Sequence, residues 1–111
     1  MKTRTLAIFF TTAITVATFA AVPLEVTMSS NRIAGDGDAV HFDLANPGQE
    51  AAITHVFNLQ GEEIAELSAE SMGRFVWDGR DTDEQPVEAG LYVVQIRHGG
   101  EVWHGPVVVR H

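Results

Sequence analysis

Turn-forming residues interrupt the region 25–111 at short intervals, and this spacing restricts the fold more than any other feature. The runs left between such signals are too short for typical helices but suit β-strands. The turn signals are Gly35-Asp36-Gly37-Asp38, Asn46-Pro47-Gly48, Gln60-Gly61, Asp78-Gly79, Glu88-Ala89-Gly90 and His98-Gly99-Gly100. The intervening runs predict seven strands, Leu24–Met28, Val40–Leu44, Ala52–Leu59, Glu63–Leu67, Arg74–Trp77, Leu91–Arg97 and Val102–Arg110. Seven strands in this length predict an all-β domain, a seven-stranded immunoglobulin-like β-sandwich.

The segment 62–71, with the sequence EEIAELSAES, is the one place where a helix competes with a strand. Its alanines and glutamates favour a helix. It is short, however, and a glycine lies on each side, which favours an edge strand and a loop. We therefore expect a strand here, at the edge of a sheet.

An uncharged segment precedes the β-rich region. Twenty residues, Thr5–Leu24, carry no charge. A helix of this length spans about 30 Å, the thickness of a bilayer's hydrocarbon core. The stretch also has the form of a secretory signal, with a usable cleavage site at Thr18-Phe19-Ala20. Residues 1–24 are therefore predicted to be a transmembrane signal anchor, in contact with membrane lipid through residues 5–24, or a cleaved signal peptide.

The charges of the chain are divided unevenly on either side of this segment. The 111 residues carry a net charge of −8, and Lys2 and Arg4 are the only charges before Glu25. Residues 25–111 hold fifteen carboxylates and five arginines, a net charge of −10. A basic tip in front of an apolar segment stays in the cytoplasm. The domain 25–111 is therefore expected on the far side of the membrane.

The composition argues against several classes of function. The chain contains no cysteine, which removes disulfides, thiolate metal sites and thiol nucleophiles. Its negative charge argues against nucleic acid as a partner, because phosphate binding needs a basic patch. The serines lack the G-x-S-x-G context of an activated nucleophile. We expect no enzymatic activity and no catalytic residue.

The histidines and carboxylates do not form a recognisable metal motif in the sequence. The five histidines, His41, His55, His98, His104 and His111, include no pair at the i, i+2 or i, i+4 spacing of ligands that share a face. The acidic loop containing Asp78, Asp81, Asp83 and Glu84 offers oxygen ligands for calcium, but without the spacing of an EF-hand. From the sequence we expect no metal and no cofactor, with calcium binding by this loop left open.

Several motifs in the second half of the chain occur in a characteristic order. HVFNLQGE covers residues 55–62, FVWDGRD covers 75–81, QPVEAGLY covers 85–92, and the final strand ends in VVVR at 107–110. Together they resemble the Ig-like domain of the bacterial flagellar hook-capping protein. Similar domains occur at the C-termini of many exported bacterial proteins, some as sorting modules of an outer-membrane secretion system. The chain has Gly105-Pro106 where members of this family often have a lysine before the last strand.

The residues of these motifs have physical roles in a sandwich. Trp77 is large enough to span a core about 10 Å thick. Asp78 can accept backbone N–H bonds in the turn that follows it, where Gly79 can adopt a positive φ. The Tyr92 hydroxyl is placed to tie its strand to the preceding loop, and Pro106 indicates that the last strand is an edge or contains a bulge. The structural motif residues are Asn58, Gly61, Trp77, Asp78, Gly79, Asp81, Gly90 and Tyr92.

Two predicted strands are apolar on both faces, which indicates a contact with another protein. Ala52–Leu59 and Val102–Arg110 carry apolar side chains at odd and even positions. A two-sheet sandwich buries only one face of each strand. The candidate partner contacts are Phe57, Leu59 and Trp103, unless loops cover them.

These features predict a non-catalytic, membrane-anchored structural or accessory subunit. Its domain would bind other protein subunits of a larger envelope complex of the energy-transducing, photosynthetic or secretion type. The basic tip and the uncharged segment predict one membrane span with a cytoplasmic N-terminus. For a bacterial protein, which the resemblance implies, this means an inner-membrane protein with a periplasmic domain. The alternative is a cleaved, secreted or periplasmic module that binds or sorts other proteins.

Overall fold

The computed structural model describes residues 24–45 and 51–111, which form eight β-strands and no α-helix. The predicted segment 5–24, apart from Leu24, and the turn signal Asn46-Pro47-Gly48 lie outside the described residues. Within the described ranges, no helix has the length and apolar character needed to cross a membrane. The strands are β1 (Val26–Met28), β2 (Arg32–Ile33), β3 (Val40–Leu44), β4 (Ile53–Phe57), β5 (Glu63–Leu67), β6 (Arg74–Trp77), β7 (Gly90–His98) and β8 (Glu101–Val109).

The strands form two sheets that share one core. The smaller sheet has the order β1-β3-β6 and is antiparallel; the larger has the order β2-β8-β7-β4-β5. Aromatic side chains of the two sheets meet in this core. The ring centroids of Trp77 on β6 and Tyr92 on β7 lie 5.4 Å apart. Those of Phe42 on β3 and Trp103 on β8 lie 6.1 Å apart. The all-β prediction is therefore confirmed, with the core between two sheets.

The alternation of side chains along each strand explains which ones are buried. Tyr92, Val94 and Ile96 of β7 all face the core, while Gln95 and Arg97 face away from it. The buried apolar side chains of the core are Ile33, Val40, Phe42, Leu44, Val56, Ala65, Phe75, Trp77, Val87, Tyr92, Val94, Ile96, Val107 and Val109.

One of the eight strands, β2, was not predicted from the sequence. It pairs in parallel with the end of β8, where the Val108 N–H donates to the Asn31 carbonyl at 2.9 Å and the Arg110 N–H donates to the Ile33 carbonyl at 2.8 Å. A two-residue strand has no alternation to detect. It is held by those hydrogen bonds and by the burial of the Ile33 side chain, both of which depend on the folded chain.

The competing segment 62–71 contains β5, which lies at the edge of the larger sheet. The strand and its edge position agree with the sequence expectation. The loop after β6 covers part of this edge, because the Thr82 N–H donates to the Ile64 carbonyl at 3.2 Å. Such coverage limits pairing of an open edge with another chain.

Pro106 does not produce a bulge in β8. The pairing of β7 with β8 runs without a register shift from Gly90↔Val109 to His98↔Glu101. The Val108 N–H points towards β2, so Pro106, two residues earlier, directs its nitrogen to the same side. β2 does not extend that far. The missing N–H therefore removes no hydrogen bond. At Pro106, β8 is the edge of the larger sheet, although β2 pairs with its last two residues.

Candidate functional site

The loop after β6 is organised by the side chains of its first residues. The Asp78 Oδ1 accepts the Arg80 N–H at 3.2 Å, and Gly79 between them has a φ of 79°. The Asp81 Oδ1 accepts the N–H groups of Asp83 at 2.9 Å and Gln85 at 3.0 Å. Asx turns of this kind explain why aspartate and glycine occupy these positions. Two of the four carboxylates considered for calcium, those of Asp78 and Asp81, are thus engaged in turn hydrogen bonds.

Arg80 further reduces the suitability of this loop for a cation. Its guanidinium lies 3.6 Å from Asp36 and 3.8 Å from Asp78, and it donates to the Glu84 carbonyl at 3.0 Å. A cleft of about 350 Å³ lies beside the loop, between β5 and Val76. The loop supplies its own positive charge, so we assign it a structural role.

Asn58 and Gly61 form the turn between β4 and β5. The Asn58 Oδ1 accepts the N–H groups of Gln60 at 3.0 Å and Glu62 at 2.9 Å, and its Nδ2 donates to Glu62 at 2.8 Å. The turn begins directly after Phe57, so β4 is shorter than the predicted run Ala52–Leu59. Leu59 consequently lies at the tip of the turn, where 64% of its surface is exposed.

Trp77 and Tyr92 connect the two sheets to the same loop region. The Trp77 indole Nε1 donates to the Arg80 carbonyl at 2.9 Å, and the Tyr92 hydroxyl donates to the Glu88 carbonyl at 2.6 Å. Burial, followed by the charge of Glu88, raises the pKa of Tyr92 above its ordinary value. The phenol therefore remains protonated and continues to donate. Gly90, the first residue of β7, pairs with Val109.

Of the three candidate partner contacts, Trp103 is placed differently from the expectation. It pairs with Ile96, whose side chain faces the core, and its ring meets Phe42 edge-on. The ring also lies over Gly105, where an added Cβ would stand 2.1 Å from a ring carbon. Because Gly105 has no side chain, the indole can fold inward over the middle of β8. Trp103 is thus partly buried and packed against the core.

The outer face of the larger sheet, the side turned away from the core, is the main apolar surface among the described residues. Four of its aliphatic side chains are strongly exposed: Ile53 (50%), Val102 (48%), Leu91 (40%) and Val108 (37%). The outer face of the smaller sheet contrasts with it. That face carries mainly polar and charged side chains, namely His41, Asp43, Arg74 and Thr27, beside Val76. The Arg74 guanidinium donates to the Asp43 carboxylate at 2.7 Å.

One end of the outer face forms a continuous apolar patch. The register places Phe57, Val93 and Pro106 side by side across β4, β7 and β8, with Leu91 and Val108 as the next pair along. We call these five residues the apolar patch. Leu59 adds an exposed side chain in the turn that follows Phe57, so two of the three candidate contacts lie at or next to it.

Next to the apolar patch, a row of polar side chains crosses the outer face. His55, Gln95 and His104 are register neighbours, and the Gln95 Nε2 lies 3.1 Å from the His104 Nε2. On the other side of His55, Glu63 and Glu66 of β5 complete a cluster whose ligand atoms all lie within 4.8 Å of one another. This cluster could not be found from the sequence, because its members belong to two strands and show no motif spacing.

The structure thus separates the sequence candidates into two groups. The motif residues Asn58, Trp77, Asp78, Asp81 and Tyr92 hold turns and the core, whereas Phe57 and Leu59 lie on or beside an exposed apolar surface.

Comparison with known proteins adds no family assignment: no protein-family model matches the chain, and no curated protein matches it significantly.

Proposed function

We propose that this chain is a non-catalytic accessory subunit of a bacterial envelope complex. In this proposal residues 5–24 anchor it in the inner membrane, and the domain 25–111, an immunoglobulin-like sandwich, lies in the periplasm. The domain docks through the apolar patch on another protein subunit. The observation that carries the proposal is the exposure of aliphatic side chains on the outer face, with 40% of Leu91 and 37% of Val108 accessible.

The surroundings of the patch support a protein as the occupant. Contiguous exposed apolar surface next to polar residues is typical of protein contacts. The patch combines a half-buried aromatic ring, Phe57, with aliphatic neighbours on two adjacent strands, and aromatic side chains often supply most of an interface's binding energy.

The charge of the domain defines the chemistry of the partner. Residues 25–111 carry a net charge of −10, and Glu63 stands beside Phe57 in the register. A partner surface with an apolar centre and a basic rim complements this arrangement and accelerates association. A larger subunit of an envelope complex with such a surface is the expected partner.

The motif residues support a non-catalytic role. The carboxylate of Asp81 and the amide of Asn58 each accept two backbone N–H groups. Such groups hold turns in place.

The test is purification of the full-length chain from its native membranes in mild detergent, followed by mass spectrometry of the co-purifying subunits. The wild-type chain should recover a partner in fixed stoichiometry. Leu91→Arg and Val108→Arg, which place a charge in the apolar patch opposite the apolar centre of the partner surface, should reduce that recovery at least tenfold.

Met72→Arg is the matched control, because Met72 is 73% exposed but lies outside the apolar patch. It should recover the partner to within twofold of wild type. All variants should retain the thermal midpoint of the wild-type chain to within a few degrees. Recovery of a lone monomer from wild type, or undiminished recovery by both patch variants, would contradict docking through this surface.

The intact mass of the purified chain tests the anchor separately. A species beginning at Met1 supports the signal anchor. A mature species beginning near Ala21, released by cleavage after Thr18-Phe19-Ala20, supports the alternative of an exported binding or sorting module.

A further inference from the structure

We propose that His55, Glu63 and Glu66 form a binding site for a divalent transition-metal ion of the zinc type, on the edge of the larger sheet. The three side chains each offer one ligand atom, and these atoms lie within 4.8 Å of one another. One imidazole and two carboxylates form a donor set that Zn²⁺ accepts, with water in the remaining position.

A β-bulge brings the two carboxylates to the same face. Glu63 and Glu66 are three residues apart, so in a regular strand they would point to opposite sides of the sheet. The pairing of β4 with β5 shifts between Val56 and Phe57: Ala65 pairs with Val56, but Glu63 pairs with Phe57. Ile64 is the extra residue, and it places Glu63 on the same side as Glu66. Bulges commonly re-aim a side chain in this way beside functional sites.

The third side chain, His55, lies directly opposite Glu66 in the register. Its ring stacks on Phe57, with centroids 6.1 Å apart and planes at 27°. The imidazole is therefore supported on one side by an aromatic ring, and its orientation towards β5 is restricted by packing. Ligands held in this way lose little conformational freedom when a metal binds.

The environment of the His55 Nδ1 is the independent observation that points to a cation. This nitrogen is shielded from solvent and forms no hydrogen bond of acceptable geometry, although the Glu63 Oε1 lies only 2.9 Å away. A buried polar atom without a well-aligned partner is unfavourable. A metal ion coordinated by the ring nitrogen and the carboxylates would satisfy their lone pairs together.

The donor set also distinguishes among metals. Imidazole is a ligand for zinc, copper, iron and nickel, whereas calcium and magnesium prefer oxygen ligands in larger number. The bound ion would link β5, the edge strand, to β4 by coordination. It would stabilise the open edge of the sheet, with water in the fourth coordination position.

The test is calorimetric titration of Zn²⁺ into the full-length chain in detergent, purified without a polyhistidine tag and treated with a chelator. Wild type should bind one Zn²⁺ per chain, and bound Zn²⁺ should raise the thermal unfolding midpoint by several degrees. His55→Ala should abolish this binding. Glu63→Gln and Glu66→Gln, which keep the side-chain shape, should each weaken it at least tenfold.

His104→Ala is the matched control, because His104 lies in the same row on β8 but outside the cluster. It should bind Zn²⁺ to within twofold of wild type. The glutamine variants should retain the fold, since Glu63 and Glu66 are exposed and substitutions at exposed positions usually change stability little. Three results would overturn the proposal. They are the absence of saturable Zn²⁺ binding by wild type, an affinity for Zn²⁺ equal to that of wild type in the His55 and Glu66 variants, and tighter binding of Ca²⁺ or Mg²⁺ than of Zn²⁺.

Discussion

At the scale of single residues, the absence of a side chain at Gly105 decides where the neighbouring indole lies. The ring of Trp103 occupies the space that a Cβ at this position would fill, with 2.1 Å between that Cβ and a ring carbon. The same ring meets Phe42 of the other sheet. A residue that appears in the sequence only as a break in a valine-rich run thus directs an aromatic side chain into the core.

Gly105→Ala should therefore destabilise the domain by displacing the Trp103 ring. Overpacking of this kind costs about 1–3 kcal/mol, measured as a shift of the urea unfolding midpoint. Gly100→Ala is the control, since no atom lies within 4 Å of a Cβ added there. Equal stability of the two variants would show that the indole moves aside at little cost.

At the scale of elements, pairing between strands joins side chains that are distant in sequence. Asp43 of β3 and Arg74 of β6 are register partners, and the guanidinium donates two hydrogen bonds to the carboxylate, at 2.7 and 3.1 Å. These bonds lower the pKa of Asp43 below its ordinary value, against the opposing effect of burial. Cross-strand ion pairs contribute modestly to a sheet.

The contribution of this ion pair should depend on pH in a defined direction. A carboxyl group whose pKa is lowered by folding stabilises the protein above its unfolded-state pKa, and this contribution is lost as pH falls through the lowered value. The stability difference between wild type and Asp43→Asn should be largest above about pH 5 and should shrink below pH 3.8, the ordinary value for this group. Chemical unfolding at several pH values measures it. A difference that grows on acidification would contradict the assignment.

At the scale of the whole molecule, one tryptophan links both sheets and the loop between β6 and β7. Trp77 is fully buried, meets Tyr92 across the core and donates to the Arg80 carbonyl. Aromatic side chains in such positions contribute strongly to the stability of a small core. The two sheets are therefore expected to unfold together.

Trp77→Ala should remove most of the stability of the domain. The expected loss is about 3–5 kcal/mol, a large part of the 5–15 kcal/mol typical of a domain. Far-UV circular dichroism during thermal unfolding should show a much lower midpoint. Val102→Ala on the outer face, where the side chain is 48% exposed, should change the midpoint little. Retention of a wild-type midpoint by Trp77→Ala would refute a shared core.

The strands could be predicted because each one carries a local pattern that physical chemistry explains. Alternation places Tyr92, Val94 and Ile96 on one face wherever β7 lies, and Asp78-Gly79 favours a turn in any context. The edge strand β5 was predictable for the same reason. The short strand β2 was not, since its two residues are held only by the end of β8.

The arrangement of the outer face depends instead on which strands become neighbours. His55 and Glu66 face each other only because β4 pairs with β5, and Glu63 joins them only through the bulge opposite Val56 and Phe57. Likewise, the apolar patch exists only because β4, β7 and β8 are adjacent. Local patterns determine the face on which each side chain lies along its own strand. Pairing and register, which reflect long-range packing, determine what that side chain meets.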